Sequence, residues 1–265
     1  MIDLVLFPRG EGEIARALAA GLRSIIVDLE ARGKEERQSG ADTEINRLRP
    51  EDLAPLAAAG VPRRWCRLDR FGGWTRAQAE AAVAAGATDL LLPMAESAAD
   101  LDRLRRWVGD RCTVGILVET ADGVRRAGEL SAAAPAAVYV GLNDLAISRR
   151  TASIFEAVAD GTVERLRDAF EGVPFGFGGV TVIDRGSPVP CRLLLAEMVR
   201  LGCAFSFLRR SFHRDVAGVD WRPVVGAIAA AWERLRRRDG DEVAADRREL
   251  VRCIAATPTA AARTA

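Results

Sequence analysis

Two carboxylates in this sequence directly follow apolar runs of the kind that form buried strands. Glu119 follows VGILV and Asp144 follows VYVGLN. A carboxylate at the end of a hydrophobic strand is costly unless it is paired, ligated or solvated. Two carboxylates among oxygen donors suit a hard divalent cation such as Mg²⁺, which keeps several of its waters. We predict that Glu119 and Asp144 bind Mg²⁺, or Mn²⁺ or Co²⁺ in its place. The alternative is that each caps the helix that follows it, although Thr120 is an equally good cap beside Glu119.

A second group of charges follows two earlier apolar runs. Asp28 and Glu30 end the segment SIIVDLE, and Arg67 follows RWC. An arginine guanidinium is always charged and planar, which matches a substrate carboxylate or a carbonyl oxygen that becomes an enolate. The alternative is a salt bridge from Arg67 to Asp28 or Glu30, and the two roles are compatible. We assign all three residues to the catalytic group.

The elements that position these charges alternate between short apolar runs and longer segments of helical period, which is the pattern of a parallel α/β sheet. Eight runs are candidate strands: LVLF (4–7), SIIVDL (24–29), RWCRL (64–68), DLLLPM (89–94), TVGILVE (113–119), AVYVGL (137–142), PFGFGG (174–179) and AFSFLR (204–209). Their nearly continuous apolar character indicates burial on both faces, which favours a closed barrel over an open sheet.

We therefore predict an α/β fold, a (β/α)₈ TIM barrel over residues 1–238, with a C-terminal helical extension over 239–265. The extension is expected to be one helix followed by a disordered end. A helix that swaps onto a neighbouring subunit is the alternative. In such a barrel the catalytic groups lie at the carboxyl ends of the strands, so the charged residues above should meet at one mouth.

The far side of that mouth is a candidate anion site. The segments FGFGG (175–179) and FLRRSF (207–212) follow the last two strands, where many barrels hold a phosphate on backbone amides and basic side chains. Arg209 and Arg210 would bind a phosphorylated aldehyde or a carboxylate there. Alternatively, they join subunits.

Composition excludes several classes of protein. The formal net charge is +1, with 49% hydrophobic and 28% charged residues, so no overall field attracts nucleic acid or a membrane surface. The five cysteines form no C-x-x-C pair and are expected to be reduced core residues. The sequence contains neither a secretory signal nor an apolar run of about 20 residues, so we expect a cytoplasmic protein.

Five of these segments resemble motifs of the HpcH/HpaI aldolase and citrate lyase β-subunit superfamily, in the same order and at barrel spacing. They are IIVDLE (25–30), CRLDR (66–70), LLLPMAESAADL (90–101), VGILVETADGV (114–124) and VYVGLNDLAIS (138–148). The resemblance implies that Glu119 and Asp144 are the metal ligands and that Arg67 contacts a 2-oxo acid or its enolate. It also places Pro93 and Met94 in the pocket wall. The substrate-binding positions that we predict in total are Arg67, Pro93, Met94, Gly141, Asn143, Arg209 and Arg210.

The chain departs from this family after strand two. Pyruvate aldolases of the family have a proton-transferring His there and acyl-CoA lyases usually have Asp, whereas this chain has Ala31. The only histidine, His213, lies beyond strand eight, and we expect it to be an ordinary surface residue. The polar segment 31–48 is either a solvated loop or a lid that supplies the missing group through Lys34, Arg37 or Glu44.

These observations predict a divalent-metal-dependent carbon–carbon lyase, a class II-type aldolase that acts through a metal-stabilised enolate of a 2-oxo acid with an aldehyde partner. The absence of Lys at the predicted strand ends argues against a Schiff base. The first alternative is an acyl-CoA lyase of the citrate lyase or malyl-CoA type, and the second is a non-catalytic ligand-binding barrel. The resemblance also implies a homo-oligomer.

Overall fold

A computed structural model describes residues 2–31 and 48–256 of the chain. Eight parallel strands form one sheet: β1 (Asp3–Leu6), β2 (Ser24–Asp28), β3 (Arg63–Arg67), β4 (Asp89–Leu92), β5 (Thr113–Val118), β6 (Val138–Val140), β7 (Phe175–Phe177) and β8 (Phe205–Phe207). From β1 to β7 each strand pairs with the next in sequence, and β1 also pairs with β8. The prediction of a (β/α)₈ barrel is confirmed.

The barrel closes between β7 and β8 through backbone hydrogen bonds rather than through a regular ladder. The Ala204 amide donates to the Phe175 carbonyl over 2.8 Å, and the Val180 amide donates to the Phe207 carbonyl over 2.9 Å. Gly176 permits this close approach, because a Cβ atom there would lie 2.3 Å from the carbonyl oxygen of Phe205. We call this junction the β7–β8 seam.

Helices connect and cover the strands. They are α1 (Glu11–Ala19), α2 (Ala54–Ala58), α3 (Thr75–Ala84), α4 (Ala98–Val108), α5 (Ala121–Arg125), α6 (Ala127–Ala132), α7 (Leu142–Arg149), α8 (Glu156–Ala159), α9 (Thr162–Ala169), α10 (Cys191–Arg200), α11 (Arg210–Asp215), α12 (Trp221–Leu235) and α13 (Gly240–Ala255). Short 3₁₀ helices occupy Pro50–Leu53 and Gly109–Arg111. In the described part of the chain, no helix is long and apolar enough to cross a membrane.

The sixth strand is shorter than its sequence predicts. The apolar run AVYVGL was expected to be strand throughout, but β6 stops at Val140 and α7 begins at Leu142. Leu142, Leu145 and Ala146 are all buried, and their spacing of three and four residues places them on one helical face. The boundary between strand and helix therefore falls inside a continuous apolar run, and hydrophobicity alone does not reveal where it lies.

Alternate residues of the strands pack into two separate apolar clusters. Ile25 and Val27 belong to the large cluster shared with the helices, whereas Ile26 belongs to a smaller cluster. In the smaller cluster Trp65 stacks on Phe205 with ring centroids 5.4 Å apart. Both faces of the sheet are thus buried, which explains the nearly continuous apolar strands of the sequence.

The predicted extra helix is present as α13, and it packs on its own barrel. Leu250 and Ile254 are buried, and Arg247 forms an ion pair with Glu197 of α10 while it donates to the Val158 carbonyl over 2.9 Å. Residues 257–265, where a disordered end was predicted, lie outside the described residues. Within this chain the helix covers its own barrel, and the swap onto a neighbouring subunit stays an alternative.

Candidate active site at the carboxyl ends of the strands

Arg67 forms a two-point salt bridge at the ends of β2 and β3. Its Nε lies 2.8 Å from Asp28 Oδ1, its Nη2 lies 2.6 Å from Asp28 Oδ2, and its Nη1 lies 3.4 Å from Glu30 Oε2. The pairing of Asp28 with Arg67 across the two strands makes this contact direct. Burial alone would lower the pKa of Arg67, but Asp28 and Glu30 raise it on balance, so the guanidinium remains charged. The salt bridge considered from the sequence is thus observed.

Glu119 follows β5 and is buried, with 2% of its surface exposed. Its Oε1 accepts a hydrogen bond from the Met94 amide over 2.9 Å. Thr120, not Glu119, caps α5, because the Thr120 hydroxyl accepts from the Gly123 amide. Gly141 leaves the space that the carboxylate fills, since a Cβ atom there would lie 2.4 Å from Glu119 Oε2.

Asp144 lies in the first turn of α7, close to Glu119. The N-cap of α7 is Gly141, without a capping side chain, so the structure does not show the helix-capping role considered for Asp144. Burial, followed by the charges of Glu30 and Asp144, raises the pKa of Glu119 to about 8, although Arg67 and the Met94 amide lower it. The carboxylates therefore lie close enough to repel one another electrostatically.

This arrangement fits a divalent cation. Glu119 and Asp144 line one cavity with Arg67, and the charges of Glu30 and Asp144 act on the buried carboxylate of Glu119, so a cation held there would offset the repulsion between these carboxylates. Residues 2–31 and 48–256 contain no group of three acidic, His or Cys side chains placed to hold a metal. The protein would thus supply two carboxylates, Glu119 and Asp144, and leave the other positions to water or substrate oxygens, as Mg²⁺ favours.

Two adjoining cavities open at this mouth. The first, of about 590 Å³, is lined by Asp28, Arg67, Asp144 and His213 among others. The second, of about 780 Å³, is lined by Arg67, Glu119, Asp144 and Arg209 among others. Because Arg67 and Asp144 line both, the cavities share a wall at the predicted metal site. Volumes of this order are usual for sites that bind small molecules.

His213 is not the surface residue that the sequence suggested. It is buried, with 9% of its surface exposed, and its Nδ1 lies 2.9 Å from Glu13 Oε1. The other Glu13 oxygen accepts from the Arg9 amide over 2.8 Å. Because β1 pairs with β8, the segments that follow these strands become neighbours although Glu13 and His213 are 200 residues apart. No local pattern in the sequence signals such a pair.

Arg209 and Arg210 follow β8 and differ in environment. Arg209 is partly buried and its Nε donates to the Gly179 carbonyl over 2.8 Å, whereas Arg210 is exposed. Both line the second cavity, and Arg210 also lines the first. The segments after the last two strands therefore meet at the mouth, as the sequence predicted.

Only some of the other predicted substrate-binding positions line the two cavities. Asn143 lines both cavities and Gly141 lines the second. Pro93 is buried directly after β4 and lines neither of these two cavities, and Met94 approaches the site through its amide. The possible lid residues Lys34, Arg37 and Glu44 lie outside the described residues.

Comparison with known proteins finds similar structures but no similar sequence. No family model and no curated protein matches the chain. RipC from Yersinia pestis is 18% identical, with a TM-score of 0.55 over 92% of this chain and 98% of that one. CitE from Mycobacterium tuberculosis, in complex with magnesium and acetate, is 22% identical, with a TM-score of 0.55 over 92% and 96%. An HpcH/HpaI aldolase/citrate lyase family protein from Burkholderia cenocepacia is 18% identical, with a TM-score of 0.60 over 88% and 93%.

This chain shares the fold of these proteins. The likeness covers nearly the whole length of each partner, so the barrel is compared as a complete unit. At these identities the comparison concerns the fold, while function rests on the site itself.

Proposed function

We propose that this protein is a divalent-metal-dependent carbon–carbon lyase of the HpcH/HpaI aldolase and citrate lyase superfamily. Its substrates would be a 2-oxo acid of the pyruvate type and an aldehyde. The observation that carries the proposal is the meeting of Arg67, Glu119 and Asp144 around one cavity, where the neighbouring carboxylates of Glu30 and Asp144 act on the buried Glu119. The five sequence motifs and the fold of the similar structures support the same superfamily.

In this proposal Glu119 and Asp144 hold the cation, and Arg67 binds an oxygen of the substrate. A bound Mg²⁺, Mn²⁺ or Co²⁺ would supply a Lewis acid for the substrate carbonyl. Asp28 occupies Nε and Nη2 of Arg67 and so fixes the plane of the guanidinium, whereas Nη1 has the longer 3.4 Å contact with Glu30. Nη1 is therefore the atom available to stabilise negative charge that develops on the 2-oxo acid.

His213 is the proposed proton-transfer residue, in place of the group that Ala31 lacks. A hydrogen bond that Nδ1–H donates to Glu13 Oε1 would orient the imidazole and leave Nε2 as the nitrogen that accepts a proton. The ring lines the same cavity as Asp28, Arg67 and Asp144. A carboxylate that orients a histidine at the edge of a binding cavity is the usual arrangement of a general base.

The test follows loss of the methyl proton signal of pyruvate in D₂O by NMR, with Mg²⁺ or with a chelator. We expect exchange only with the cation. Glu119→Gln should abolish both exchange and the rise in melting temperature that Mg²⁺ produces. His213→Gln should slow exchange by about 10²- to 10⁴-fold, the usual contribution of a general base, while it keeps the Mg²⁺-induced rise. Glu129→Gln, at an exposed position on α6, is the matched control.

Two outcomes would contradict the proposal in different ways. If Mg²⁺ produces no thermal shift in the wild type, Glu119 and Asp144 do not form a metal site. If the shift occurs but pyruvate does not exchange, the free 2-oxo acid of this size is not the substrate, and a coenzyme A thioester becomes the next compound to assay.

A further inference from the structure

Arg209 is a partly buried cation without a carboxylate partner among the described residues. Its Nε donates to the Gly179 carbonyl, and its Nη2 is buried without a hydrogen-bond partner. Two other partly buried arginines pair with carboxylates: Arg238 lies 2.5 Å from Asp246, and Arg200 lies 2.8 Å from Glu197. The guanidinium also lies 5.8 Å from the centroid of the Phe155 ring, but this contact provides no hydrogen-bond acceptor for Nη2, and a buried N–H group without an acceptor is costly.

Asp215, the acidic side chain that acts electrostatically on Arg209, has other partners. Burial lowers the pKa of Arg209, and the charge of Asp215 offsets this only in part. The carboxylate of Asp215 accepts from the Thr181 hydroxyl over 2.7 Å and lies 3.3 Å from Arg214. In the described part of the chain, Arg209 thus forms no salt bridge beside the cavity that it lines.

Further polar groups lie at the same end of this cavity. The Ser211 hydroxyl is buried without a hydrogen-bond partner, and the exposed Arg210 adds a second cation; both residues line the cavity with Arg209. Gly179 makes room for the arginine, because a Cβ atom at Gly179 would lie 2.7 Å from Arg209 Cγ. We call Gly179, Arg209, Arg210 and Ser211 the distal cluster.

We infer that the distal cluster binds an oxyanion, either the carboxylate or the phosphate of an anionic aldehyde substrate. A guanidinium with unused N–H groups beside a hydroxyl is suited to such a group. The same cavity of about 780 Å³ extends to Arg67, Glu119 and Asp144, so one substrate can contact both ends. Identification of the anion as part of the aldehyde rests on the proposed function, whereas the anion site itself does not.

Binding is tested without turnover. Melting temperature is measured with inorganic phosphate or succinate at constant ionic strength, for the wild type, Arg209→Met, Ser211→Ala and the control Arg236→Met. Arg236 is exposed on the surface after α12, where it pairs with Glu233. We expect both anions to raise the wild-type melting temperature, the larger rise identifying the preferred group, and Arg209→Met to weaken the apparent affinity about tenfold or more. Arg236→Met should respond like the wild type.

Arg209→Met also removes the hydrogen bond from Nε to the Gly179 carbonyl across the β7–β8 seam, so the anion-induced rise of each variant is measured from its own ligand-free melting temperature. An unchanged response of Arg209→Met to both anions would overturn the inference.

A kinetic comparison connects the site to the substrate. The ratio of kcat/KM for succinic semialdehyde or glyceraldehyde 3-phosphate to that for propionaldehyde should fall about tenfold or more in Arg209→Met. An unchanged ratio would refute the assignment to the aldehyde. If the wild type binds phosphate but converts no aldehyde, the proposed function fails while the anion site stands.

Discussion

Replacement of Arg67 by Met should destabilise the protein by about 3–5 kcal/mol, the usual cost of removing one partner from a buried ion pair. Asp28 and Glu30, which are 2% and 1% exposed, would lose the cation that lies between them. Arg67→Lys keeps the charge but not the planar fork that contacts both oxygens of Asp28. It should cost about 1.5–3 kcal/mol, equivalent to one hydrogen bond to a charged group.

Urea unfolding of the metal-free protein, followed by tryptophan fluorescence, measures these changes because Trp65 is fully buried in the barrel. Arg67→Met combined with Asp28→Asn should recover part of the loss, since the double variant no longer buries the Asp28 charge. The reasoning is refuted if Arg67→Met remains within about 1 kcal/mol of the wild type, or if the two substitutions are additive to within about 0.5 kcal/mol.

Three further predictions concern packing and thiols. Gly141→Ala should destabilise by about 1–3 kcal/mol and weaken Mg²⁺ binding, because the added methyl group would overlap Glu119; urea unfolding and cation titration measure both. Leu250→Ala should cost about 2–5 kcal/mol, and because α13 packs on its own barrel, the loss measured by urea unfolding should not depend on protein concentration. Ellman's reagent at pH 8 should titrate one thiol, Cys253, in the native protein and five after unfolding, because the other four cysteines are buried and burial raises their thiol pKa values.

The barrel and its acidic mouth could be predicted from the sequence because both depend on segments that follow one another along the chain. Continuous apolar runs mark strands that are buried on both faces, and parallel strands place the residues after Asp28, Arg67 and Val118 at one edge. The salt bridge between Asp28 and Arg67 follows from the pairing of two consecutive strands. Strand order along the chain was sufficient for these features.

Features that depend on closure or on packing could not be predicted in this way. The contact between Glu13 and His213 requires β1 and β8 to pair, and the lone histidine carries no signal of its partner. The unpaired state of Arg209 depends on which acidic side chains are engaged elsewhere, such as Asp215 by Thr181. The end of β6 was misjudged because Leu142 is apolar in either structure.

The β7–β8 seam is the place where the barrel can open without breaking a regular strand ladder. Arg209 contributes two hydrogen bonds across this seam, from its backbone amide to the Val180 carbonyl and from Nε to the Gly179 carbonyl. Opening of the barrel at the seam would divide the distal cluster between the two halves. It would leave Asp28, Arg67 and Glu119 on one continuous run of paired strands from β2 to β5. An anion that contacts both sides of the seam would bind only the closed barrel. Occupancy of the site would therefore stabilise the closed barrel against opening at the seam.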